Sequence, residues 1–361
     1  MKYNTGDKVK LIDSYNGNLP EEMKSNLGKV VTIDNWCNTC FTIQEDGGLF
    51  NYKNKLIDKL VKPNSPNDFL KNFYSDFIND DISGFTTVMN IEYLNGKYDK
   101  CVHREKEINR LCEIILRKNK SNPVLTGLAG VGKTAIVEGF VSKITEIKKK
   151  SLDDNCINHP LINKVVLNIN LTSMIAGMKY RGDFEERLRK VVDIAKYNSD
   201  VILFIDEIHM IIGLNKDNEG TISLGQLLKG SLSRGDISLI GATTESEYEL
   251  IKKDKALDRR FTQINVKEFT KNQMKSVLPT ICETYGTYHN INISDDVIKS
   301  ALEYCDEFIE NRVYPDKLID VIDETAARLR LWKYDDEDIV MTVEDIAKTI
   351  TNMTGKIIVS G

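Results

Sequence analysis

The stretch NPVLTGLAGVGKTAIVEG, from Asn122 to Gly139, decides the fold of this chain. It begins with a short apolar run typical of a buried strand and ends in a helical pattern with Ile136 on its apolar side. The glycines between them allow backbone N–H groups to turn toward phosphate oxygens, and the helix N-terminus adds partial positive charge. We therefore predict a nucleotide phosphate loop formed by Gly127, Leu128, Ala129, Gly130, Val131, Gly132, Lys133 and Thr134.

Specific roles are expected for two of these side chains and for an acidic pair further along. Lys133 is predicted to contact the β- and γ-phosphates, and the Thr134 hydroxyl is predicted to bind Mg²⁺. A second apolar strand, at 201–205, ends in the carboxylates Asp206 and Glu207. Asp206 is expected to share the Mg²⁺, and Glu207 to polarise the attacking water as a general base. ATP and Mg²⁺ are the predicted cofactors.

Further polar side chains follow or precede the next apolar runs. Thr243 follows the apolar run at 237–240, where its hydroxyl could orient a water beside the γ-phosphate. Arg259 and Arg260 precede the apolar run at 261–266, and such a pair is usually a solvated basic turn. If the pair faces the nucleotide of a neighbouring subunit, it supplies arginine fingers, each worth roughly 10³–10⁵ in rate.

Strand and helix patterns alternate from about residue 104. Five short apolar strands with helices between them predict a parallel sheet covered on both faces. The chain reads as wholly helical after Phe269. Residues 1–62 hold several short strands and predict a small β-barrel of the SH3-like kind. Residues 63–98 are predicted as a linker, which the stretch KPNSP at 62–66 introduces.

Composition limits the classes of function. The 361 residues are 41% hydrophobic and 29% charged, as in an ordinary soluble globular protein. No apolar run approaches the ~18–20 residues of a membrane span, and the N-terminus lacks the apolar core of a signal peptide. Seven cysteines, an odd number, fit a reducing compartment, so we expect a cytoplasmic protein without a membrane partner. A net charge of −5 argues against a general nucleic-acid coat.

Six ordered stretches of the sequence give a family resemblance: NPVLTGLAGVGKTAIVEG, GMKYRGDFEERL, VILFIDEIH, GATTESEY, ALDRRF and YPDKLIDVIDETAARLR. Through them the chain resembles the first ATPase module of the Clp family of AAA+ unfoldases and disaggregases from about Asp99 to Gly355. The resemblance implies an AAA+ large α/β domain at 99–268, a small helical lid domain at 269–361, and ATP hydrolysis. It also implies a homohexamer that draws polypeptide through a central pore.

The resemblance carries over to individual residues. Tyr180, with Lys179 and Arg181 beside it, matches a pore-loop residue that grips the translocating chain. An aromatic ring packs against almost any polypeptide segment, which suits a grip without sequence specificity. Val102 matches a contact to the nucleotide base, although His103 occupies the position of a family glycine.

Three family parts have no counterpart in the sequence. The β domain at 1–62 replaces the N-terminal helical domain, and we expect it to select substrates or an adaptor. Only a short stretch separates Arg330 from Thr342, which leaves no room for the coiled-coil middle domain. Residues 353–355 match the junction to a second ATPase ring, so a single ring is expected.

Other functions and two further motifs stay open. A DNA-acting AAA+ protein, such as a helicase or clamp loader, could stack bases on Tyr180. A regulatory ATP-binding subunit could join a larger Clp ring. Ile212-Gly213-Leu214 mimics a protease-docking tripeptide, but its position favours the start of a second pore loop. Cys37-Asn38-Thr39-Cys40 has zinc-knuckle spacing but lacks a second pair of ligands, which favours two strand-end thiols.

Overall fold

Residues 1–73 and 74–361 form separate units in the computed structural model of the chain. The structure describes residues 66–153, 158–176, 181–213, 228, 230–232, 234–333 and 338–358, with the backbone alone at 153, 181, 212 and 213. It also describes the backbone of five strands before residue 61. The domain boundaries given above stay predictions.

The first unit contains an antiparallel sheet with the spatial order β4-β3-β2-β1-β5. Its strands are β1 (Lys8–Leu11), β2 (Val30–Trp36), β3 (Cys40–Ile43), β4 (Tyr52–Lys53) and β5 (Ile57–Leu60). Cys37 and the two residues after it lie outside the described residues. Closure of these strands into an SH3-like barrel stays a prediction.

The second unit is centred on a six-stranded sheet with the order β11-β7-β10-β9-β8-β6. Every residue of β7 and β9 is buried, as in strands that are covered on both faces. All pairs are parallel except β6 with β8. The α/β fold is confirmed, and the predicted sheet of five parallel strands gains an antiparallel edge strand. The six strands are β6 (Thr86–Val88), β7 (Asn122–Thr126), β8 (Val165–Ile169), β9 (Val201–Ile205), β10 (Ser238–Thr243) and β11 (Phe261–Asn265).

Regular elements occupy most of the segment 66–98, which the sequence predicted as a linker. Thr86 of β6 pairs with Ile169 of β8, and the neighbouring Phe85 and Val88 are buried. A three-residue strand is too short for a period to be recognised, and its hydrogen bonds to β8 stabilise it from outside the segment. The helices here are α1 (Pro66–Ser75), α2 (Asp80–Ser83) and α3 (Met89–Leu94).

Helices pack on the central sheet through apolar sides. Ile136, Phe140 and Ile144 are at most 1% exposed and share one core with Phe204 of β9, as their helical spacing predicts. No helix in the described part of the chain is long and apolar enough to cross a membrane. These helices are α4 (Glu105–Ile115), α5 (Lys133–Asp153), α6 (Leu171–Ile175), α7 (Arg181–Tyr197), α8 (His209–Gly213), α9 (Glu245–Lys252) and α10 (Lys255–Asp258).

The chain after β11 forms a helical lid with its own core, to which Leu318, Val321 and Ile346 belong. Thr270 and Thr342 begin the first and last lid helices with complete capping boxes, which satisfy N–H groups that a helix leaves unpaired. A short parallel pair, β12 (Ile291–Asn292) and β13 (Ile339–Val340), joins two lid segments. The lid helices are α11 (Lys271–His289), α12 (Asp295–Phe308), α13 (Asp316–Trp332) and α14 (Val343–Thr354).

Candidate functional site

The predicted phosphate loop connects the carboxyl end of β7 to the first turn of α5. Gly130 and Gly132 have φ of +81° and +89°, a left-handed backbone that glycine adopts without steric cost. Leu128 and Ala129 are exposed, whereas Val131 is buried in the core of the sheet domain. The loop is therefore accessible to a ligand on the side of Leu128 and Ala129, and the packing of Val131 into the core anchors it on the other side.

Lys133 lies within this loop and is only 8% exposed. Its Nζ donates to the carbonyl oxygens of Gly127 and Leu128, over 3.1 and 3.0 Å. An ammonium group bonds more strongly to a charged oxygen than to a neutral carbonyl, so phosphate oxygens can replace these two partners. The loop and its lysine thus fit the polyphosphate of a nucleotide.

Thr134 and Asp206 are brought together at the carboxyl ends of β7 and β9. Thr134 Oγ1 donates to Asp206 Oδ2 over 3.0 Å. A hydroxyl and a carboxylate beside a phosphate-binding loop are oxygen ligands of the type that Mg²⁺ takes. The two residues predicted to bind the metal therefore fit it by their chemistry and by their position next to Lys133.

Glu207 follows Asp206 in an uncommon backbone conformation, with φ of +52°. Its N–H donates to Asp206 Oδ1 over 3.0 Å. Left-handed backbone at a residue other than glycine costs about 1–3 kcal/mol and is found most often at functional sites. Partial burial raises the pKa of the Glu207 carboxyl, and the negative charge of Asp206 raises it further.

A hydrogen-bonded cluster links Glu207 to the end of β10. Thr243 Oγ1 donates to Glu247 Oε2 over 2.9 Å, and His209 Nδ1 lies 3.0 Å from the same Thr243 oxygen. His209 Nδ1 also lies 3.2 Å from one carboxylate oxygen of Glu207 and 3.2 Å from one of Glu247. The sequence indicated Thr243 but neither His209 nor Glu247. Thr244 and Glu247 form a capping box on α9, a pattern that the sequence contains.

A cavity of about 180 Å³ opens beside the phosphate loop, between the sheet domain and the lid. Val102, predicted to contact the nucleotide base, lines it together with Val131 and Gly132 of the loop. Phe269 and Ile319 line it on the lid side. Apolar side chains with room for a flat ring suit a nucleotide base.

His103 stands outside this cavity, and its side chain is exposed. Its φ of +58° is left-handed, so the family glycine at this position is explained by the backbone and not by the base. Arg104 is buried, donates from Nη2 to the Val131 carbonyl over 2.7 Å, and lies 3.8 Å from the centroid of the Phe269 ring. Arg104 therefore connects the phosphate loop to the start of the lid.

Arg259 and Arg260 lie away from the phosphate loop of their own chain. They precede β11, whose first residue, Phe261, pairs with Asn122 at the start of β7. The loop follows the other end of β7, four residues farther on. At about 3.3 Å per residue, the two places are ~13 Å apart along the strands. The structure therefore does not bring these arginines to the Lys133 site within one chain.

Two other predicted features lie wholly or partly outside the described residues. Lys179 and Tyr180 belong to the segment 177–180, and Arg181 is described only as the backbone at the start of α7. Ile212 and Gly213 end α8, and Leu214 is outside the description. Arg187 of α7 binds the described residues that come just before 177–180. Its Nη1 donates to the carbonyls of Met174 and Ala176, over 2.8 and 3.2 Å.

Comparisons with known proteins agree with this geometry. Residues 123–269 match the model of the ATPase family associated with various cellular activities (AAA), and residues 270–358 match the model of an AAA lid domain. The chain is 43% identical over 240 residues to the chaperone protein ClpB of Dichelobacter nodosus, covering 66% of this chain and 27% of that protein. It is 39% identical over 252 residues to the ATP-dependent Clp protease ATP-binding subunit ClpE of Lactococcus lactis, covering 69% and 33%. The chain thus spans about a quarter to a third of these relatives.

Solved structures show the same relationship. A closed-state structure of Hsp104 with ATPγS and FITC-casein aligns with a TM-score of 0.66 at 33% identity, covering 76% of this chain and 46% of that chain. The S. cerevisiae Hsp104–ADP complex gives the same values. The fold of the sheet and lid is the AAA+ fold of Hsp104. Residues 123–358 are therefore an AAA ATPase domain with its lid domain, and they form a Clp-family AAA+ ATPase module.

Proposed function

We propose that this chain is a protein-remodelling motor that hydrolyses ATP to unfold polypeptide and move it through the pore of a single homohexameric ring. The observation that carries the proposal is the hydrogen bond from Thr134 to Asp206. It joins the phosphate loop to the acidic end of β9, so the binding half and the hydrolytic half of an ATPase site lie side by side. The similarity to Clp-type relatives supports protein remodelling as the process that the hydrolysis would drive.

In this proposal the phosphates of ATP displace the Gly127 and Leu128 carbonyls from the Lys133 ammonium. Backbone N–H groups of the loop bind the same oxygens. Mg²⁺, held by Thr134 and Asp206, would neutralise charge that develops on the β- and γ-phosphates. The base would occupy the cavity that Val102 lines, in contact with both the sheet domain and the lid.

Glu207 then accepts the proton of the water that attacks the γ-phosphate. Its raised pKa favours this role, since a base is most effective when its pKa lies nearer the working pH. The Thr243 hydroxyl orients the same water. In the described conformation its proton is bonded to Glu247, so its oxygen is free to accept only. Contact with a phosphate oxygen would require the hydroxyl to turn away from Glu247.

Arg259 and Arg260 would act on the nucleotide of the adjacent subunit. Their distance from the loop of their own chain supports this arrangement, because a group at the far end of β11 can serve a phosphate only from a neighbour. Each ATP would then lie between two subunits. Hydrolysis would then require the assembled ring, and the contacts between subunits would depend on which nucleotide is bound.

Lys179, Tyr180 and Arg181 would contact the polypeptide in the pore. Arg187 supports this role by fixing the end of α6 against α7, so that the four residues 177–180 connect two tethered helix ends. The relative Hsp104 has been solved with casein, a polypeptide, which supports the substrate class.

Residues 1–62 would select the substrate or an adaptor. None of the predicted ATP-site residues falls within them. This role separates partner choice from ATP hydrolysis, and it predicts that a variant lacking residues 1–62 retains basal ATP hydrolysis.

The experiment that tests the proposal compares two stimulants of ATP turnover. Steady-state hydrolysis by the full chain is measured alone, with an unfolded model protein, and with single-stranded DNA, and Lys133→Ala serves as the inactive control. We expect stimulation by the unfolded protein and not by DNA. Stimulation by DNA alone would instead favour a helicase or clamp-loader type, and turnover that neither polymer changes would favour a regulatory subunit.

A further inference from the structure

His209 lies at the centre of three oxygen atoms that come from three different elements. Glu207 follows β9, Thr243 ends β10, and Glu247 belongs to the first turn of α9. Their oxygens lie 3.2, 3.0 and 3.2 Å from His209 Nδ1. Among the polar contacts of the described side chains, His209 alone reaches both Glu207 and Thr243.

The protons in this cluster can be assigned from the contacts. The Thr243 hydroxyl gives its proton to Glu247, so its oxygen can only accept from His209. Carboxylates at neutral pH also only accept. The Nδ1–H of His209 therefore donates to Thr243, and the two carboxylate oxygens lie 3.2 Å from the same nitrogen.

The two carboxylates depend on that donor to different degrees. Glu247 Oε2 accepts from Thr243, from the Thr244 hydroxyl over 2.7 Å and from the Thr244 N–H over 3.1 Å, without help from His209. His209 Nδ1 lies 3.2 Å from one oxygen of the Glu207 carboxylate, which accepts no hydrogen bond from another described side chain. The imidazole is therefore the contact available to orient the Glu207 carboxylate, whereas Glu247 is held by its helix cap.

Neighbouring charges also act on the Glu207 carboxylate. Asp206 and Glu247 both repel the Glu207 carboxylate, and Lys133 attracts it. Without the imidazole, the Glu207 carboxylate would lose its contact on the Thr243 side, and the repulsion from Asp206 and Glu247 would favour its displacement. The imidazole opposes that repulsion.

We propose that His209 is a positioning residue for ATP hydrolysis, which holds the Glu207 carboxylate beside Thr243 so that both act on one water. The proposal rests on the proposed roles of Glu207 and Thr243. It assigns no proton transfer to His209 itself. Misplacement of a reacting group by about 1 Å can cost 10²-fold in rate, which sets the scale of the expected effect.

The test uses the position of the contacting atom. An asparagine side chain carries its N–H near the position of Nδ1, whereas glutamine carries it near Nε2. We would measure kcat and KM for ATP, and Mg·ADP affinity by calorimetry, in the full chain with His209→Ala, His209→Asn and His209→Gln. His159→Ala is the matched control, because His159 Nδ1 only accepts from the Leu161 N–H in a remote turn.

We expect His209→Ala to lower kcat roughly 10- to 100-fold while Mg·ADP affinity changes less than about twofold. His209→Asn should recover more of the lost turnover than His209→Gln, and His159→Ala should behave as wild type. A kcat for His209→Ala within about twofold of wild type, or an asparagine variant no better than alanine, would overturn the role of His209. An inactive wild-type chain would refute the proposed ATPase function itself, a result distinguishable from both.

Discussion

Gly130 of the phosphate loop lies directly against Asp316, the first residue of lid helix α13. A Cβ on Gly130 would lie 2.7 Å from the Asp316 Cβ and 2.9 Å from its Oδ2, closer than van der Waals contact permits. The lid thus reaches the loop itself and not only the base cavity. Its position and the conformation of the loop are coupled through a residue that has no side chain.

This contact predicts a specific effect of Gly130→Ala. The substitution places an L side chain at φ of +81°, which costs about 1–2 kcal/mol, and also pushes the lid from the loop. Gly96→Ala is the matched control, since Gly96 has φ of +74° with no atom within 4 Å of a new Cβ. We expect both to lower the free energy of unfolding, and only Gly130→Ala to lower Mg·ADP affinity, by tenfold or more. Equal effects of the two on affinity would contradict a coupling between lid and loop.

Lys133→Ala should remove tight nucleotide binding, because the loop loses the ammonium group that now donates to the Gly127 and Leu128 carbonyls. A hydrogen bond to a charged group contributes about 1.5–3 kcal/mol, so calorimetry should show a loss of at least tenfold. Lys164→Ala controls for the loss of a lysine, since Lys164 pairs with Asp200 at the start of β8. Wild-type affinity in Lys133→Ala would reject the assignment of the site.

Glu207→Gln should bind ATP and almost stop its turnover. Lys133 and Asp206 remain for binding, whereas an amide cannot accept the proton of the attacking water. The variant should also accumulate as an oligomer with bound ATP, which light scattering can measure. Glu249→Gln, at an exposed position of α9, is the matched control with normal turnover. A Glu207→Gln variant that stays monomeric at every concentration with ATP would contradict the ring.

Arg259→Ala and Arg260→Ala should each bind ATP normally if they act only across a subunit interface, and at least one should lose hydrolysis. Mixing the inactive arginine variant with Glu207→Gln should restore some hydrolysis, at interfaces that receive an intact half from each subunit. The measurement is turnover against mixing ratio, with mixed oligomers verified by mass. A complete lack of rescue in verified mixtures would leave the arginines as surface charges.

Tyr180→Ala should leave basal ATP hydrolysis within a few-fold of wild type and abolish the unfolding of a tagged substrate. Tyr180→Phe should keep both, because packing area and not the hydroxyl provides the grip. If the chain instead acts on DNA, Tyr180→Ala would lose about 1–3 kcal/mol of single-strand binding. A loss of about 3–5 kcal/mol in stability would indicate a buried ring. Normal unfolding by Tyr180→Ala would remove the pore-loop proposal.

The predictable parts of the fold are those whose signal is local. The strand at 201–205 is a continuous apolar run, and its buried state follows from that composition alone. Strand β6 could not be predicted, because Thr86-Thr87-Val88 has no period and gains its hydrogen bonds from β8, about 80 residues away. The other regular elements within the predicted linker 63–98 were not predicted either, and the domain boundary itself stays a prediction.

The same distinction applies to the site. Gly130, Lys133 and Thr134 belong to one contiguous motif, so their arrangement around phosphate could be read from spacing. His209 and Thr243 are 34 residues apart, and only the adjacency of β9 and β10 brings them together. The left-handed backbone of Glu207 could not be predicted from its residue type either, since glutamate has no preference for that conformation.

The parallel pairing of β7 and β11 has a consequence for symmetry. The phosphate loop follows one end of this pair and Arg259 precedes the other, so an arginine finger from a neighbouring subunit would join two different parts of the chain. A contact between different surfaces is heterologous, so each added subunit exposes the same free surface as the last. Such an assembly closes into a ring or continues as a spiral, and the order of subunits around it has a direction. In a two-fold dimer, by contrast, residue i contacts residue j and j contacts i across one shared patch, and the assembly stops at two subunits.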